Sequence, residues 1–359
     1  MRILYGVVGE GLGHAMRSRV ILDHLFDRGH EVEIVASGRA VDFLRQHFAE
    51  RGLVHRIHGM HIVYDENRVK RGSTFFGNVL AGAAALPEQI AAYFDVISKF
   101  RAQLVISDFE SWTYYYAKLH GLPILSIDNM QLLSRCTIDA EAISDHRAAF
   151  ELTKTFIKAK LPFCNHYLIT TFVRLPVRKP DTSLFPPILR PEILNAVPSR
   201  GEHLLIYQTA EGYESLLDTL QRTGLECRIY GLRRGLTQDV VEGNLRFRPF
   251  NELRFVEDLA SARGVIAGGG FTLMGEAVYL KKPMLAVPVE GQFEQILNAH
   301  YLAKMGYGRY ASSLADPAAL LDFVAGIPEH AHCLEAYQQE GNRELTSFLD
   351  TKLAELGAR

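Results

Sequence analysis

Ile3-Leu4-Tyr5-Gly6-Val7-Val8 is an unbroken apolar run of strand length, followed by Gly9-Glu10-Gly11-Leu12-Gly13-His14 and a helical pattern from about Ala15 to Arg28. Strand, glycine loop and helix in that order predict the start of a βαβ unit. Glu31 to Ala36 alternates and ends at Ser37-Gly38, and Arg39 to Arg51 reads as the next helix. Two such units predict a parallel sheet with helices on its faces. Gln103 to Asp108 and Gly121 to Asn129 read as strands with polar ends, Asp139 to Lys160 as a helix, and Tyr167 to Phe172 as the last strand before the composition changes. From Arg174 to Gly201 prolines stand at 176, 180, 186, 187, 191 and 198, which predicts a linker.

The pattern then begins again. His203 to Gln208, Cys227 to Tyr230 and Arg246 to Phe250 read as strands, with Tyr213 to Arg222 a helix between the first two. Phe255 to Ala262 leads to the apolar run ending at Val265-Ile266-Ala267, three glycines follow, and Thr272 to Leu280 has helical composition. Pro283 to Pro288 reads as a short buried strand, Gly306 to Ala311 as a final strand, and Glu329 to Arg359 as a polar helical tail. The fold class expected is α/β, with a doubly wound parallel sheet in each of two Rossmann-like domains. Their boundaries are residues 1–175 for the first domain, 176–200 for the linker, 201–335 for the second domain and 336–359 for a terminal helix.

Composition adds limits. At 359 residues the chain can form two domains that each bury a core. Apolar residues at 48% and charged residues at 22% describe a soluble globular protein, and a formal charge of -2 offers no field for nucleic acid. Cys136, Cys164, Cys227 and Cys333 include no C-x-x-C pair, so neither a zinc site nor a disulfide framework is expected. Reduced thiols, the absence of a signal-peptide pattern and the absence of an apolar run of membrane-spanning length predict a cytoplasmic protein.

Candidate chemistry collects after the strands. Glycines at 268, 269 and 270 let the backbone approach a ligand, and the helix starting near Thr272, just after Phe271, favours an anion there. Glu276, four residues after Thr272 and on roughly the same face, suits ribose hydroxyls. Gly268, Gly269 and Gly270 alone would more often be a tight turn. The next polar loop supplies Glu290, Gln292, Glu294, Gln295 and Asn298 for a hydroxyl-rich attachment. In the first domain, Gly11, Gly13 and His14 occupy a loop above the carboxyl edge of the sheet. Their Gly-x-Gly-x-Gly spacing is not the dinucleotide pattern, and no acid ends the second strand, which disfavours a nicotinamide cofactor. Asp108 ends a strand at the same edge, where it could deprotonate a hydroxyl, orient His14 or cap the helix near Ser111; Glu110 is a second acid there. Arg17 reads equally as a phosphate ligand or a surface residue. Tyr64, Arg68, Lys70, Arg71, the turn from Gly72 to Gly77 and the apolar stretch through Leu86 read as an acceptor-binding loop and helix, as a dock for a lipid carrier, or, more often, as a basic turn before a core helix.

The combination in the second half resembles the donor-sugar motif of GT-B glycosyltransferases, a superfamily that includes the UDP-glycosyltransferases and the cell-wall N-acetylglucosaminyltransferases. That motif runs glycine turn, Glu on the next helix, proline-bounded strand, then acid-Gln-x-x-Asn-Ala, here Glu294-Gln295-Ile296-Leu297-Asn298-Ala299. Gly11-Leu12-Gly13-His14 is similar to the acceptor-side loop of the same proteins. The resemblance implies two facing Rossmann-like domains with a cleft between them, an acceptor domain first and a nucleotide-sugar domain second, and a terminal helix packed on the first. It places Glu276 on ribose, Gly269 to Thr272 on the diphosphate, Glu294 and Gln295 on sugar hydroxyls, Phe250 with Arg248 and Pro249 near the base, where Phe250 reads equally as core, and His14 or Asp108 as general base. One departure is Ala267, where many members carry a phosphate-contacting His.

The implied activity is transfer of a sugar from a nucleotide diphosphate donor, a UDP-sugar, to an acceptor hydroxyl with inversion. The donor is a co-substrate, and no other cofactor and no metal is expected, the chain having no Asp-x-Asp. Lipid-linked, polysaccharide and small-molecule acceptors are all compatible, the first with peripheral contact at the inner face of a membrane. Two alternatives share the fold or the ligand: an enzyme like the UDP-N-acetylglucosamine 2-epimerases, and a non-catalytic nucleotide-sugar-binding protein.

Overall fold

A strand covered on both faces must be apolar along its length, and Ile3, Leu4, Tyr5 and Val7 are all fully buried in β1 (Arg2–Val7). The computed structural model describes residues 1–9, 11–57, 64–65, 68–69, 97, 99–208, 214–233, 235–314 and 317–358. Around β1 stand β2 (Glu31–Ala36), β3 (Val54–Arg56), β6 (Leu104–Asp108), β7 (Ile124–Asp128), β8 (His166–Thr170) and β9 (Thr182–Phe185). They form a sheet of order β3-β2-β1-β6-β7-β8-β9, every pair parallel. Two short strands outside it, β4 (Tyr64–Asp65) and β5 (Arg68–Val69), pair antiparallel. Lys70, Arg71 and the Gly72 to Gly77 turn lie outside the described residues.

The chain divides into two compact units, Met1–Arg190 with Glu340–Arg359, and Pro191–Gln339. The proline-rich stretch is therefore not a linker throughout: Thr182–Phe185 is the edge strand β9, and Phe185 and Ile188 enter the first core. Pro180 and Pro186 flank that strand, where a missing amide costs no ladder bond. The expected helical tail is also two helices, Pro317–Glu335 in the second unit and Arg343–Gly357 in the first, separated at Gly341. Leu345, Leu349 and Leu353, four apart on one face, join the first core. Asp350 on the same helix pairs with His24 at 2.8 Å and with Arg28.

The second unit repeats the layout with β10 (Leu204–Tyr207), β11 (Cys227–Tyr230), β12 (Val240–Glu242), β13 (Leu245–Arg248), β14 (Gly264–Ala267), β15 (Met284–Ala286) and β16 (Gly308–Tyr310). Their order is β12-β13-β11-β10-β14-β15-β16, parallel except for β12 on β13. Leu204, Ile206, Ile229, Phe247, Ile266 and Leu285 fill its core, with Phe323 and Ile327 from the helix Pro317–Glu335. In each sheet the strand order reverses direction beside the first strand, between β1 and β6 and between β10 and β14. Loops leaving those strands diverge, so the carboxyl edge there is open to a ligand. Among the described residues no helix is long and apolar enough to cross a membrane.

Candidate functional site

In the first unit the loop after β1 leads into the helix Leu12–Asp27, whose N-cap Gly11 has φ 83°. That conformation is cheap only for glycine, and it starts the helix three residues earlier than the pattern predicts. Gly13 and His14 thus lie in its first turn. Val7 at the end of β1 is in register with Asp108 at the end of β6, which brings Asp108 to the same edge. His14 Nδ1 lies 2.8 Å from Asp108 Oδ1, with His14 18% and Asp108 1% exposed.

Arg17, one turn along the helix, is buried and touches no open surface. Its Nε donates to Asp108 Oδ2 at 2.8 Å, its Nη2 to Asp108 Oδ1, and its Nη1 to Asn129 Oδ1 at 2.9 Å. The same Nη2 stands 2.8 Å from His14 Nδ1, and Ser18 Oγ donates to Asp108 Oδ2 at 2.9 Å. Burial opposes ionisation of Asp108, but Arg17 and His14 outweigh it and hold the carboxyl well below the usual carboxylate range. Asp108 is therefore an ionised, fully engaged acceptor of hydrogen bonds. Neither expectation for Arg17, phosphate ligand or surface residue, survives. Glu110, not Asp108, caps the helix Ser111–Leu119, accepting from the Trp112 and Thr113 amides at 2.7 Å each. Spacing carried a readable signal for this network, since Arg17 and Ser18 follow His14 by three and four residues on one helix face. Asn129 was visible in the sequence only as the polar end of the strand Gly121 to Asn129, with nothing to pair it with Arg17.

In the second unit, β14 ends at Ala267 and Gly270 N-caps the helix Phe271–Tyr279 without any side-chain cap. Gly269 is obligatory for packing: a Cβ there would lie 2.5 Å from the Gln295 carbonyl oxygen. The turn is knitted to the helix Phe293–Lys304. Gln295 Oε1 accepts from the Gly269 amide at 3.3 Å and the Val289 amide at 3.1 Å, and its Nε2 donates to Gln292 Oε1. Asn298 Nδ2 donates to the Gly269 carbonyl at 3.0 Å and to Glu294 Oε1 at 2.8 Å. Gln292, Glu294 and Gln295 thus brace the glycine turn in this structure, and the Gly269 amide is already bonded. Gly268 leads into the turn, and Gly270, Phe271 and Thr272 stand at the positive end of the helix dipole. Glu276 is 2% exposed and Glu290 lies on the surface.

Phe250 is 53% exposed, which removes the reading of it as core. Its ring stands 6.4 Å from Tyr230 and 5.8 Å from Phe255, at the carboxyl ends of β11 and β13. Arg248 is turned inward instead, donating to Asp258 Oδ2 at 2.6 Å, where the Tyr230 hydroxyl also donates, while Arg228 donates to Asp258 Oδ1.

The profile of the family described as glycosyl transferase family 1 matches residues 1–328. The chain belongs to that family. As a glycosyltransferase, it is similar to an uncharacterized glycosyltransferase of Methanosarcina mazei, 24% identical over 92% of this chain and 90% of the relative. A shorter match, 30% identical over 28% of this chain and 29% of the relative, is to a Bacillus cereus UDP-N-acetylglucosamine--N-acetylmuramyl-(pentapeptide) pyrophosphoryl-undecaprenol N-acetylglucosamine transferase. In fold it is similar to Phytolacca americana UGT2, solved with UDP-2fluoro-glucose and pterostilbene, at TM-score 0.69 and 14% identity over 99% of this chain and 98% of that one. The two Rossmann-like sheets of this glycosyltransferase are those of the GT-B class.

Proposed function

We propose that this glycosyltransferase moves a sugar from a uridine diphosphate donor to an acceptor hydroxyl, with inversion, and that His14 takes the hydroxyl proton. The observation that carries the reading is the 2.8 Å pairing of His14 Nδ1 with Asp108 Oδ1 at the carboxyl edge of the first sheet. An ionised carboxylate beside Nδ1 favours the tautomer with its proton there, Arg17 Nη2 then donating to Asp108 Oδ1 and not to the ring, which leaves Nε2 with a lone pair. Asp108 is too enclosed to reach a substrate, so its part is to orient the ring. As Nε2 accepts the proton, the acceptor oxygen bonds the anomeric carbon. The bond from that carbon to the diphosphate oxygen breaks, and its electron pair leaves with the diphosphate. Attack opposite the leaving group inverts the carbon.

The helix opening at Phe271 would receive the developing diphosphate charge on backbone amides and its dipole, which needs no side-chain cation. Glu276 would hold the ribose and Phe250 the base. A uridine donor is supported by the names of the Bacillus cereus relative and of the complex with UDP-2fluoro-glucose. The test is UDP release from UDP-sugars over a panel of acceptors, with His14→Ala beside wild type. Loss of a general base should lower turnover by about 10²–10⁴-fold, while stabilisation by UDP persists. Wild-type turnover by His14→Ala would overturn the assignment of the base, and UDP binding without turnover on any acceptor would favour a silent binding protein.

A further inference from the structure

We infer that Arg17 is a positioning residue of the proposed transfer, its guanidinium neutralising Asp108 so that His14 stays in the proton-accepting form. The inference rests on the reading of His14 as base. A buried carboxylate 2.8 Å from an imidazole, with nothing else beside it, would hold a proton on the ring. A ring already protonated can orient a substrate but cannot take its proton. Here the carboxylate is shared: Arg17 bonds both of its oxygens and Ser18 bonds one. With Arg17 Nη2 at 2.8 Å from His14 Nδ1, protonating the ring would set two cations side by side in buried surroundings.

The other charged and titratable groups acting on this cluster are Asp128, at the end of β7, and Tyr5, on β1. Among the described residues Arg17 is the one permanent cation on Asp108. Its position is fixed from a third side by Asn129, so the fork keeps its aim whatever His14 does. Lysine would supply the charge but not the two parallel bonds.

Two readouts test this. One is the pH profile of kcat/KM for transfer; the other is an NMR titration of the His14 ring with neither donor nor acceptor present. Arg17→Gln should move the acid limb of the profile and the ring titration to higher pH. Arg17→Lys should lower kcat yet leave both midpoints where the wild type has them. A purely structural role predicts a uniform rate loss with no movement of either midpoint, and that result would overturn the inference. If Arg17→Gln does not fold alone, Asp108→Asn compared with the double variant Asp108→Asn/Arg17→Gln decides: removing the guanidinium beside the neutral amide should move the ring titration to higher pH, and no movement between the two sinks the idea. The NMR readout needs no turnover, so failure of the transfer reading and failure of this one are seen separately.

Discussion

Gly269 and Gly270 are adjacent in sequence but answer to different constraints, and alanine at each separates packing from ligand approach. At Gly270, φ is -64° and ψ 126°, a conformation open to any residue, and nothing lies within 4 Å of an added Cβ. Alanine there should leave the fold intact or stabilise it by about 0.4–1 kcal/mol through the unfolded chain. At Gly269 the added carbon would meet the Gln295 carbonyl oxygen at 2.5 Å and its Cβ at 2.8 Å, both held by the helix Phe293–Lys304. Overpacking of that kind costs about 1–3 kcal/mol, and in a domain of this size the apparent Tm should fall roughly 2–4 °C for each kcal/mol. Thermal unfolding with and without UDP, together with calorimetric titration of UDP, gives both quantities. Gly270→Ala should keep its Tm but lose a charge-assisted hydrogen bond to the diphosphate, about 1.5–3 kcal/mol, or roughly a tenfold to 150-fold weaker Kd. Gly269→Ala should lose stability and binding together. Undiminished UDP affinity in Gly270→Ala would refute the cradle, because the carbon added there has no target other than a ligand.

Four further outcomes follow from the geometry. Glu276→Gln should lose most of the stabilisation by UDP measured against its own unliganded Tm, and an unchanged ligand-induced shift in a thermal melt would exclude the ribose role. Phe250→Ala, at an exposed position, should change stability by no more than about 0.5 kcal/mol while weakening UDP by roughly 1–3 kcal/mol if the ring stacks on the base; calorimetry reads the second and denaturation the first. Asp108→Asn leaves the buried Arg17 unpaired and should cost about 3–5 kcal/mol in urea unfolding at pH 7; because the folded carboxyl titrates below its ordinary 3.8, that wild-type advantage should be full above this value and fade as pH falls below it. Burial first, and Arg200 second, pushes the Lys282 ammonium down to about 8 from 10.5. Between those values the unfolded chain binds a proton the folded one does not, so wild-type stability relative to Lys282→Met should climb across that window and stay flat below it; a difference independent of pH would contradict the assignment.

Hydrophobic runs closed by glycine or a polar residue announced most of both parallel sheets, since a strand covered on both faces has to be apolar throughout. His14, Asp108 and the glycine turn before Phe271 were legible for the same reason: ligand chemistry in such sheets sits just past the strand ends. The pattern could not show β9, whose four residues lie between prolines and read as linker until the free edge of β8 gives them a partner. Residues 329–359 read as one helical stretch, although the boundary at 335 set the last part of it apart; the break at Gly341 matters only once Leu345, Leu349 and Leu353 find the first core. Side-chain partners were the largest gap. The register of β1 on β6 and the start of the helix at Leu12 together decide that Arg17 meets Asp108, and packing of the helix Phe293–Lys304 decides that Gln295 closes on Gly269. Sequence fixes which groups are available at an edge through local periodicity; which of them are consumed by one another depends on distances between segments far apart in the chain, and those exist only after the sheet has formed.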